Sequence, residues 1–524
     1  MRQLQTTLFL SLIGFALATG LFLINTWRLR TFRVSAPLDM AYYNQQLWAL
    51  SRRLPQITVR PQNFYAAEGP EPWRTNHLRP ITWAFVPLYR LWPRPELLYL
   101  LQSLVLGLGV FAAYHLAAIQ GGRKGGILGA LLYASCPGIW LLGSTDFRYM
   151  YLGIPVGLWC AAALIQNRAG AFLTRSLLWM SIREPYSVVV AALGVGRYLQ
   201  TPRRLSGLRL ALLAVGFGIT WFWLHVLYLA LAYSPSTATQ YLWAVRHPTE
   251  AYGMVEGAIA LSLAREWHRL LVNFLPLVLL CLAQPNWLIV GLPLLFPPMR
   301  MGLFTLHPAV QFVRYLAPAL VVLLAGSSAA TGRLVGSRFK LLRQLPPSVL
   351  LLNFVCCAVV VLVGPSTLFR MPGPSDAILK LPPRYSEGHR SRELLAVLDR
   401  IPKTEGVLAA RGVLANLSPR TTLYDYYQPG PAVTWRDAIQ RCRWLVVERR
   451  ILLLASPDVP APLREAVWES ILRVSGATGR KNRQDWEEFA RTVADWYRQG
   501  DWQLVYDGTN LVVLRRPGPP PRSR

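Results

Sequence analysis

The sequence predicts an all-α polytopic membrane protein with a small α/β domain at its C-terminal end, and three observations carry that prediction. Hydrophobic residues fill 53% of the 524 positions and charged residues 15%. The apolar residues fall in blocks of roughly 18 to 25, the length that crosses a hydrocarbon layer. From residue 366 the blocks give way to Pro-rich stretches (MPGPSD, LPPRY) and then to shorter alternating and amphipathic patterns.

The first block, 7–26 (TLFLSLIGFALATGLFLINT), carries no charge and is too long for a typical signal-peptide core, so it reads as a retained first helix. Four basic clusters then set the orientation, because Lys and Arg are held on the cytoplasmic side. These are Arg123 and Lys124; Arg168 and Arg175; Arg197, Arg203, Arg204 and Arg209; and Arg333, Arg338, Lys340 and Arg343. With all four cytoplasmic, the spans alternate outward and inward at 7–26, 96–119, 126–145, 149–166, 171–184, 186–200, 208–232, 269–283, 286–299, 312–331 and 347–364. That gives about eleven spans, with the pair between 171 and 200 short enough to be tilted or re-entrant. Segment 81–92 (ITWAFVPLYRLW) is too short to span and fits an interfacial position.

This topology places the N-terminus in the cytoplasm and loops 27–94, 146–149, 184–186, 233–268 and 300–311 on the extracytoplasmic face. The predicted domains are a transmembrane region over 1–364 with its first outer loop at 27–94, an extracytoplasmic α/β domain over 365–515, and a disordered tail over 516–524. Within the α/β domain the patterns predict helices at 391–401, 462–474 and 484–498, and strands at 405–410, 443–448 and 502–515.

The 55 basic and 26 acidic residues give a formal charge of +29. In a membrane chain this reads as positive-inside loops and contacts with anionic membrane lipids, not as a nucleic-acid surface. Of the six cysteines, Cys442 alone lies outside the apolar blocks, and no spacing resembles a metal site.

Polar residues collect on the outer face. Asp39 begins a stretch (DMAYYNQQLWAL) whose Met40, Tyr43, Leu47 and Leu50 recur at helical spacing, so it is either a helix N-cap or a reactive acid; Gln45 and Trp48 share the stretch. Asn76, His77 and Arg79 (RTNHLRP) suit the orientation of a phosphate or a metal, or a solvated loop. Asp146, Arg148 and Tyr149 mark a hairpin tip. Arg183 and Glu184 stand between two apolar segments, where ionisable residues are functional candidates unless they form an internal ion pair. His307, with Arg314 and Tyr315, forms a weaker group, and loop 233–268 is long enough to cover a site. Walker loops, G-x-G-x-x-G, H-E-x-x-H and G-x-S-x-G are absent from the sequence, which disfavours an energy-coupled pump.

The run Asp39, Asn44, Gln45, Trp48, His77, Pro80, Pro87, Tyr89 and Gln102 resembles the start of a large bacterial family of polytopic membrane proteins without an assigned activity, whose members begin F-D-x-x-x-x-D-Q-x-x-W and carry a later H-F-x-P-I. That family's D-F-H-P is similar to Asp146, Phe147 and Arg148, and its K-E-D to Arg183 and Glu184. Leu38, Asn44, Arg148 and Pro185 depart from the pattern and remove residues that a metal-binding version would use. The likeness spans about residues 1–330. The family in turn is similar to the GT-C class of membrane glycosyltransferases, which includes protein mannosyltransferases and aminoarabinose transferases.

The resemblance implies a bacterial inner-membrane enzyme that moves a sugar from a polyprenyl-phosphate-linked donor to a glycan, lipid or protein acceptor by inverting displacement. Asp39 is then the general base, Arg79, Arg148 and Arg183 steady the departing phosphate with His77 as a hydrogen-bond donor, and Glu184 orients Arg183. Gln45, Trp48, Asp146 and His307 complete the expected substrate contacts. The one cofactor left open is a divalent metal. A transporter or flippase of a lipid-linked precursor and a noncatalytic scaffold are the alternative readings.

Overall fold

The computed structural model describes residues 2–32, 34, 37–54, 58–59, 77–144, 146–200, 205–232, 274–292, 294, 316–362, 390–426, 434–454, 459–462 and 480–517, with scattered positions at 236–243 and 464–468. The chain divides into two compact units. The first comprises Met1–Asn25, Asn76–Ala84 and Leu98–Lys380, and the second Thr26–Thr75, Phe85–Leu97 and Leu381–Arg524.

The first unit is helical. Helix α1 (Arg2–Arg30) leads into the chain, α2 (Pro37–Arg52) belongs to the second unit, and α3 (Ile81–Leu91) leaves Trp83, Leu88 and Leu91 exposed along its length. Helix α4 (Glu96–Ala134) contains the span expected at 96–119 and the first part of the one expected at 126–145, which is interrupted at 135–136 before a short separate helix. At Gly122 the backbone takes φ 57° and ψ −156°, a region that side chains with a Cβ avoid, and the helix breaks into two arms there. The arms fold back on each other: Tyr133 Oη donates to the Leu106 carbonyl at 2.9 Å, and Gly129 lies against Ala113 and Ala117. A short α5 (Pro137–Gly143) follows. Helices α6 (Tyr149–Ile165) and α7 (Ala169–Ile182) form a second hairpin, turned at Asn167 in the left-handed region (φ 56°). Helices α8 (Tyr186–Gln200) and α9 (Leu205–Ala232) form a third. Then come α10 (Pro285–Gly291), the deeply buried α11 (Ala317–Val335) and α12 (Lys340–Leu362).

Among the described residues, five helices (α1, α4, α9, α11 and α12) are long and apolar enough to cross a membrane, and α6 is a shorter apolar helix. They pack through small residues. A Cβ on Gly107 would stand 2.5 Å from the Gly14 carbonyl oxygen, and a Cβ on Gly332 would stand 2.2 Å from the Ala117 carbonyl oxygen. Glycine therefore lets α1 and α11 touch α4 backbone to backbone, the small-residue contact that substitutes for hydrophobic driving force in lipid.

In the second unit α2 is buried along nearly its whole length, with Met40, Tyr43, Leu47 and Leu50 at helical spacing and Asn44, Gln45 and Gln46 buried beside them. Those amides need partners. Asn44 Oδ1 accepts from Tyr89 Oη at 2.7 Å, and its Nδ2 donates to Ser418 Oγ at 2.7 Å. Gln45 Oε1 accepts from the Thr58 and Val59 amides at 3.0 and 2.7 Å, while Nε2 donates to Thr58 Oγ1 at 2.9 Å and the Arg420 carbonyl at 3.2 Å.

The C-terminal part builds a five-stranded sheet in the order β2-β1-β3-β5-β4, from β1 (Val407–Ala409), β2 (Leu423–Asp425), β3 (Trp444–Glu448), β4 (Gln503–Asp507) and β5 (Leu511–Arg515). β1 pairs parallel with β2 and β3, and β5 pairs antiparallel with β3 and β4. Strands β1 to β3 are buried at every position, as parallel strands are. The expected strand at 502–515 is in fact the hairpin β4–β5, turned at 508–510 where Gly508 N–H bonds the Leu511 carbonyl. Expected helices appear as α13 (Ser391–Arg400) and, after the short α14 (Leu414–Leu417), α15 (Trp435–Gln440) and α16 (Arg449–Leu454), as α17 (Arg480–Gln499). Most of the helix expected at 462–474, and residues 518–524 of the tail, lie outside the described residues.

Gly332→Val is expected to destabilise the protein by about 1 to 3 kcal/mol through overpacking against α4, read as a lower thermal midpoint in detergent. Gly170→Val, where an added Cβ meets nothing within 4 Å, is the control expected to leave that midpoint unchanged.

Candidate functional site

The α6–α7 hairpin places Arg148, the N-cap of α6, and Arg183, the C-cap of α7, at one end of the first unit, and the 166–168 turn at the other. Arg183 is extended (φ −166°, ψ 141°), so the helix stops there. It restarts at once, because the Tyr186 and Ser187 amides bond the Arg183 and Glu184 carbonyls, and Ser187 Oγ also donates to Glu184. This break leaves a cation and an anion side by side, 3% and 2% exposed, in an apolar bundle.

Both are tied to His77. Arg183 Nη2 lies 2.7 Å from His77 Nε2, and His77 Nδ1 lies 2.6 Å from Glu184 Oε1. A guanidinium can only donate, so Nε2 carries the lone pair and Nδ1 carries the proton that goes to Glu184. Burial, and then the Arg183 and Arg79 guanidiniums, outweigh the attraction of Glu184 and hold the His77 pKa at about 3, so the ring is neutral. His77 is thus an acceptor for Arg183, and its single proton already has a partner. It does not supply the donor to phosphate that the sequence suggested. Glu184 acts on Arg183 indirectly, by fixing the tautomer of the ring between them.

His225, on α9, stacks on His77 with ring centroids 6.4 Å apart and 17° between planes, and accepts the Leu78 amide at Nδ1 (3.3 Å). The sequence reading missed it. The signal was there: a histidine inside a long apolar helix is costly unless it has a task.

Arg79 lies over the Tyr149 ring, 4.7 Å from its centroid, and Tyr149 packs edge-on against Phe147. The 144–148 loop between α5 and α6 is held by backbone bonds. Asn25 Nδ2 and Gln102 Nε2 both donate to the Gly143 carbonyl (2.7 and 3.3 Å), and Gln102 Oε1 accepts the Arg148 amide at 2.9 Å. Asp146 and Arg148 are buried beside it. The guanidiniums of Arg79, Arg148 and Arg183 share this region with the carboxylates of Asp146 and Glu184. Among the described residues Arg183 Nε and Nη1 and Glu184 Oε2 have no hydrogen-bond partner. Such atoms are rare in folded proteins.

The ligand atoms of His77, Glu184 and His225 lie within 4.8 Å of one another, a two-histidine, one-carboxylate set of the kind that holds a divalent ion. The histidine lone pairs are already engaged, and the Arg183 guanidinium occupies the side of His77 Nε2 that a metal would take. The set fits a divalent cation once Arg183 withdraws.

The remaining sequence candidates are in the second unit or outside the description. Asp39 lies within the first turn of α2, two residues after Pro37, and so is inside the helix and not its cap. The Gln45 amide is saturated by the fold, and Trp48 is buried on the same helix. His307, Asn76, Arg314, Tyr315 and most of 233–268 lie outside the described residues.

Two measurements test this geometry. His77 is depressed, so its contribution to stability is complete above the ordinary histidine pKa near 6.5 and is lost as pH falls from there toward about 3. The thermal midpoint of the wild type should therefore drop between pH 7.5 and pH 5 more than that of His77→Gln. Separately, Arg183→Gln should tighten Zn²⁺ binding at least about tenfold, a change of about 1.4 kcal/mol, in metal titrations of purified protein. Unchanged affinity would mean that the guanidinium does not compete with a cation.

None of the curated proteins matches this sequence. The fold is similar to that of ArnT from Cupriavidus metallidurans bound to undecaprenyl phosphate, with TM-score 0.50 and 13% identity over 96% of this chain and 97% of that one. The apo state of the same protein gives TM-score 0.45 and 12% identity over 95% and 97%. At this identity the first likeness concerns the fold: a GT-C-like helical bundle with a small C-terminal sheet. A family model described as a predicted membrane protein (DUF2079) matches residues 31–513, and the chain belongs to that family.

Proposed function

We propose that this multi-pass membrane protein is a glycosyltransferase that moves a sugar from a polyprenyl-phosphate-linked donor to an acceptor on the extracytoplasmic face of the bacterial inner membrane. The observation that carries the reading is Arg183: a buried guanidinium, oriented by a neutral histidine, with Nε and Nη1 open. Open N–H donors on a planar, permanently charged group suit the oxygens of a phosphate. The ArnT structure with undecaprenyl phosphate supplies the class of carrier, a lipid phosphate, that such a group would receive.

In the reaction an acceptor oxygen attacks the anomeric carbon from the face opposite the phosphate. The carbon–oxygen bond to the lipid phosphate breaks, its electron pair leaves with the phosphate, and the acceptor proton passes to a base. Negative charge grows on the departing phosphate, and donors fixed beforehand stabilise it without reorganising. Arg183 provides those donors, with Arg79 and Arg148 adding positive potential. His77 and Glu184 are positioning residues: together they prevent the guanidinium from rotating away. Asp39 takes the proton in this scheme, a role that rests on the sequence resemblance.

Transfer of radiolabelled sugar from a panel of polyprenyl-phosphate sugars by the purified full chain tests the proposal. Arg183→Gln is expected to lower turnover by about 10²- to 10³-fold, the usual effect of removing one transition-state donor, and Asp39→Asn to abolish transfer while the protein stays folded. His77→Gln, which acts only through Arg183, should lower turnover by less than Arg183→Gln. Full activity in Asp39→Asn would remove that residue from the mechanism, and no transfer from any donor by intact wild type would sink the proposal.

A further inference from the structure

The second unit contains a group of cations that, among the described residues, form no ion pairs: Asp399 and Glu405 influence Lys403 and Arg420 only from beyond ion-pair distance. Arg52 at the end of α2 lies 4.9 Å from the centroid of the Trp48 ring, and Lys403, after α13, lies 5.2 Å from the same centroid. Arg94, before α4, and Arg420, before β2, complete the group, since burial and then Arg94, Arg420 and Arg52, in that order, depress the Lys403 pKa. Arg420 is 3% exposed, and its guanidinium bonds two main-chain carbonyls, those of Leu417 and Pro402. The ion pairs of this unit lie elsewhere: Glu405 with Arg443, Asp425 with Arg411, Glu448 with Arg450 and Asp507 with Arg449. Among the described residues none of Arg52, Arg94, Lys403 or Arg420 has a carboxylate within ion-pair distance.

Trp48 adds an independent sign. It is 7% exposed, and its Nε1–H is buried without a hydrogen-bond acceptor. A buried donor left open and a buried guanidinium without a carboxylate are each unfavourable by themselves. Arg52 and Lys403 stand against one indole, and Arg420 bonds the carbonyl of Pro402 next to Lys403. Such a surplus of donors selects a compact, multiply charged anion, and planar guanidiniums favour tetrahedral oxyanions with several oxygens to share.

We propose that Trp48, Arg52, Arg94, Lys403 and Arg420 form a binding site for a phosphoryl group, separate from the Arg183 cluster and independent of the glycosyl-transfer reading. The phosphoryl group comes either from a soluble phosphate ester or from an anionic phospholipid headgroup. Arg420 and the Trp48 indole form the fixed floor of the site, while Arg52, Arg94 and Lys403, all exposed, are free to close on the ligand.

Lysine acylation reads this site directly, because the sequence holds five lysines, and Lys124 and Lys340 are exposed internal controls. The full chain in phosphatidylcholine nanodiscs is treated with an acetylating reagent at pH 8, with or without millimolar pyrophosphate, and each lysine is followed by peptide mass spectrometry. A parallel sample uses phosphatidylglycerol nanodiscs without added phosphate. Protection of Lys403 by about fivefold or more, with Lys124 and Lys340 unchanged, is the expected result, and loss of that protection in Arg52→Gln ties it to the site. Protection by pyrophosphate identifies a soluble ligand, and protection by phosphatidylglycerol alone identifies a headgroup. Equal reactivity of Lys403 under all conditions, or equal protection of all three lysines, overturns the proposal.

Discussion

A guanidinium and a carboxylate adjacent in sequence, buried where a helix breaks, are the constraint around which the first unit is organised. Arg183 and Glu184 cannot be left unpaired in an apolar bundle, yet they do not bond each other in the arrangement described here. A histidine between them lets each satisfy one bond while keeping two donors and one acceptor open. That requires a neutral ring with its proton on Nδ1, and the surroundings impose both. The helix break at Arg183, the restart at Tyr186 and the histidine on α9 serve the same end: they hold a charged group ready without neutralising it.

Much of this was legible in the sequence because hydropathy reports burial in a membrane chain almost directly. Helices α6 to α9 lie close to where uncharged blocks predicted them, and Arg148 and Arg183 fall at the helix ends where polar residues interrupt those blocks. The partners were harder to see. His225 sits within an apolar run and acquires meaning only when α9 brings it against a loop more than a hundred residues earlier. Gln45 looked like a contact for a ligand, but a buried amide has four bonds to make, and Thr58, Val59 and Arg420 make them.

The C-terminal part shows the complementary limit. Period-two patterns found β1 and β3, yet three-residue β2 (Leu423–Asp425) is too short to display a period; the β4–β5 turn, by contrast, was legible as the polar run Asp507, Gly508, Thr509 and Asn510, which the single strand expected at 502–515 overlooks. Sheet order is set by contacts distant in sequence, such as β3 with β5, which no local pattern encodes. Likewise the cation group near Trp48 draws on separate stretches of chain, and only their assembly reveals that, among the described residues, none of them forms an ion pair.

The glycine contacts have a mechanical consequence. Where α1 and α11 each meet α4 with main chain against main chain, there are no side chains to swing aside and no slack to absorb sliding. These three helices must move as a single keel. Relative motion is therefore left to the hairpins packed around it, among them the α6–α7 and α8–α9 pairs whose adjoining ends carry Arg183 and Glu184, so the charged cluster rides on the parts that can shift.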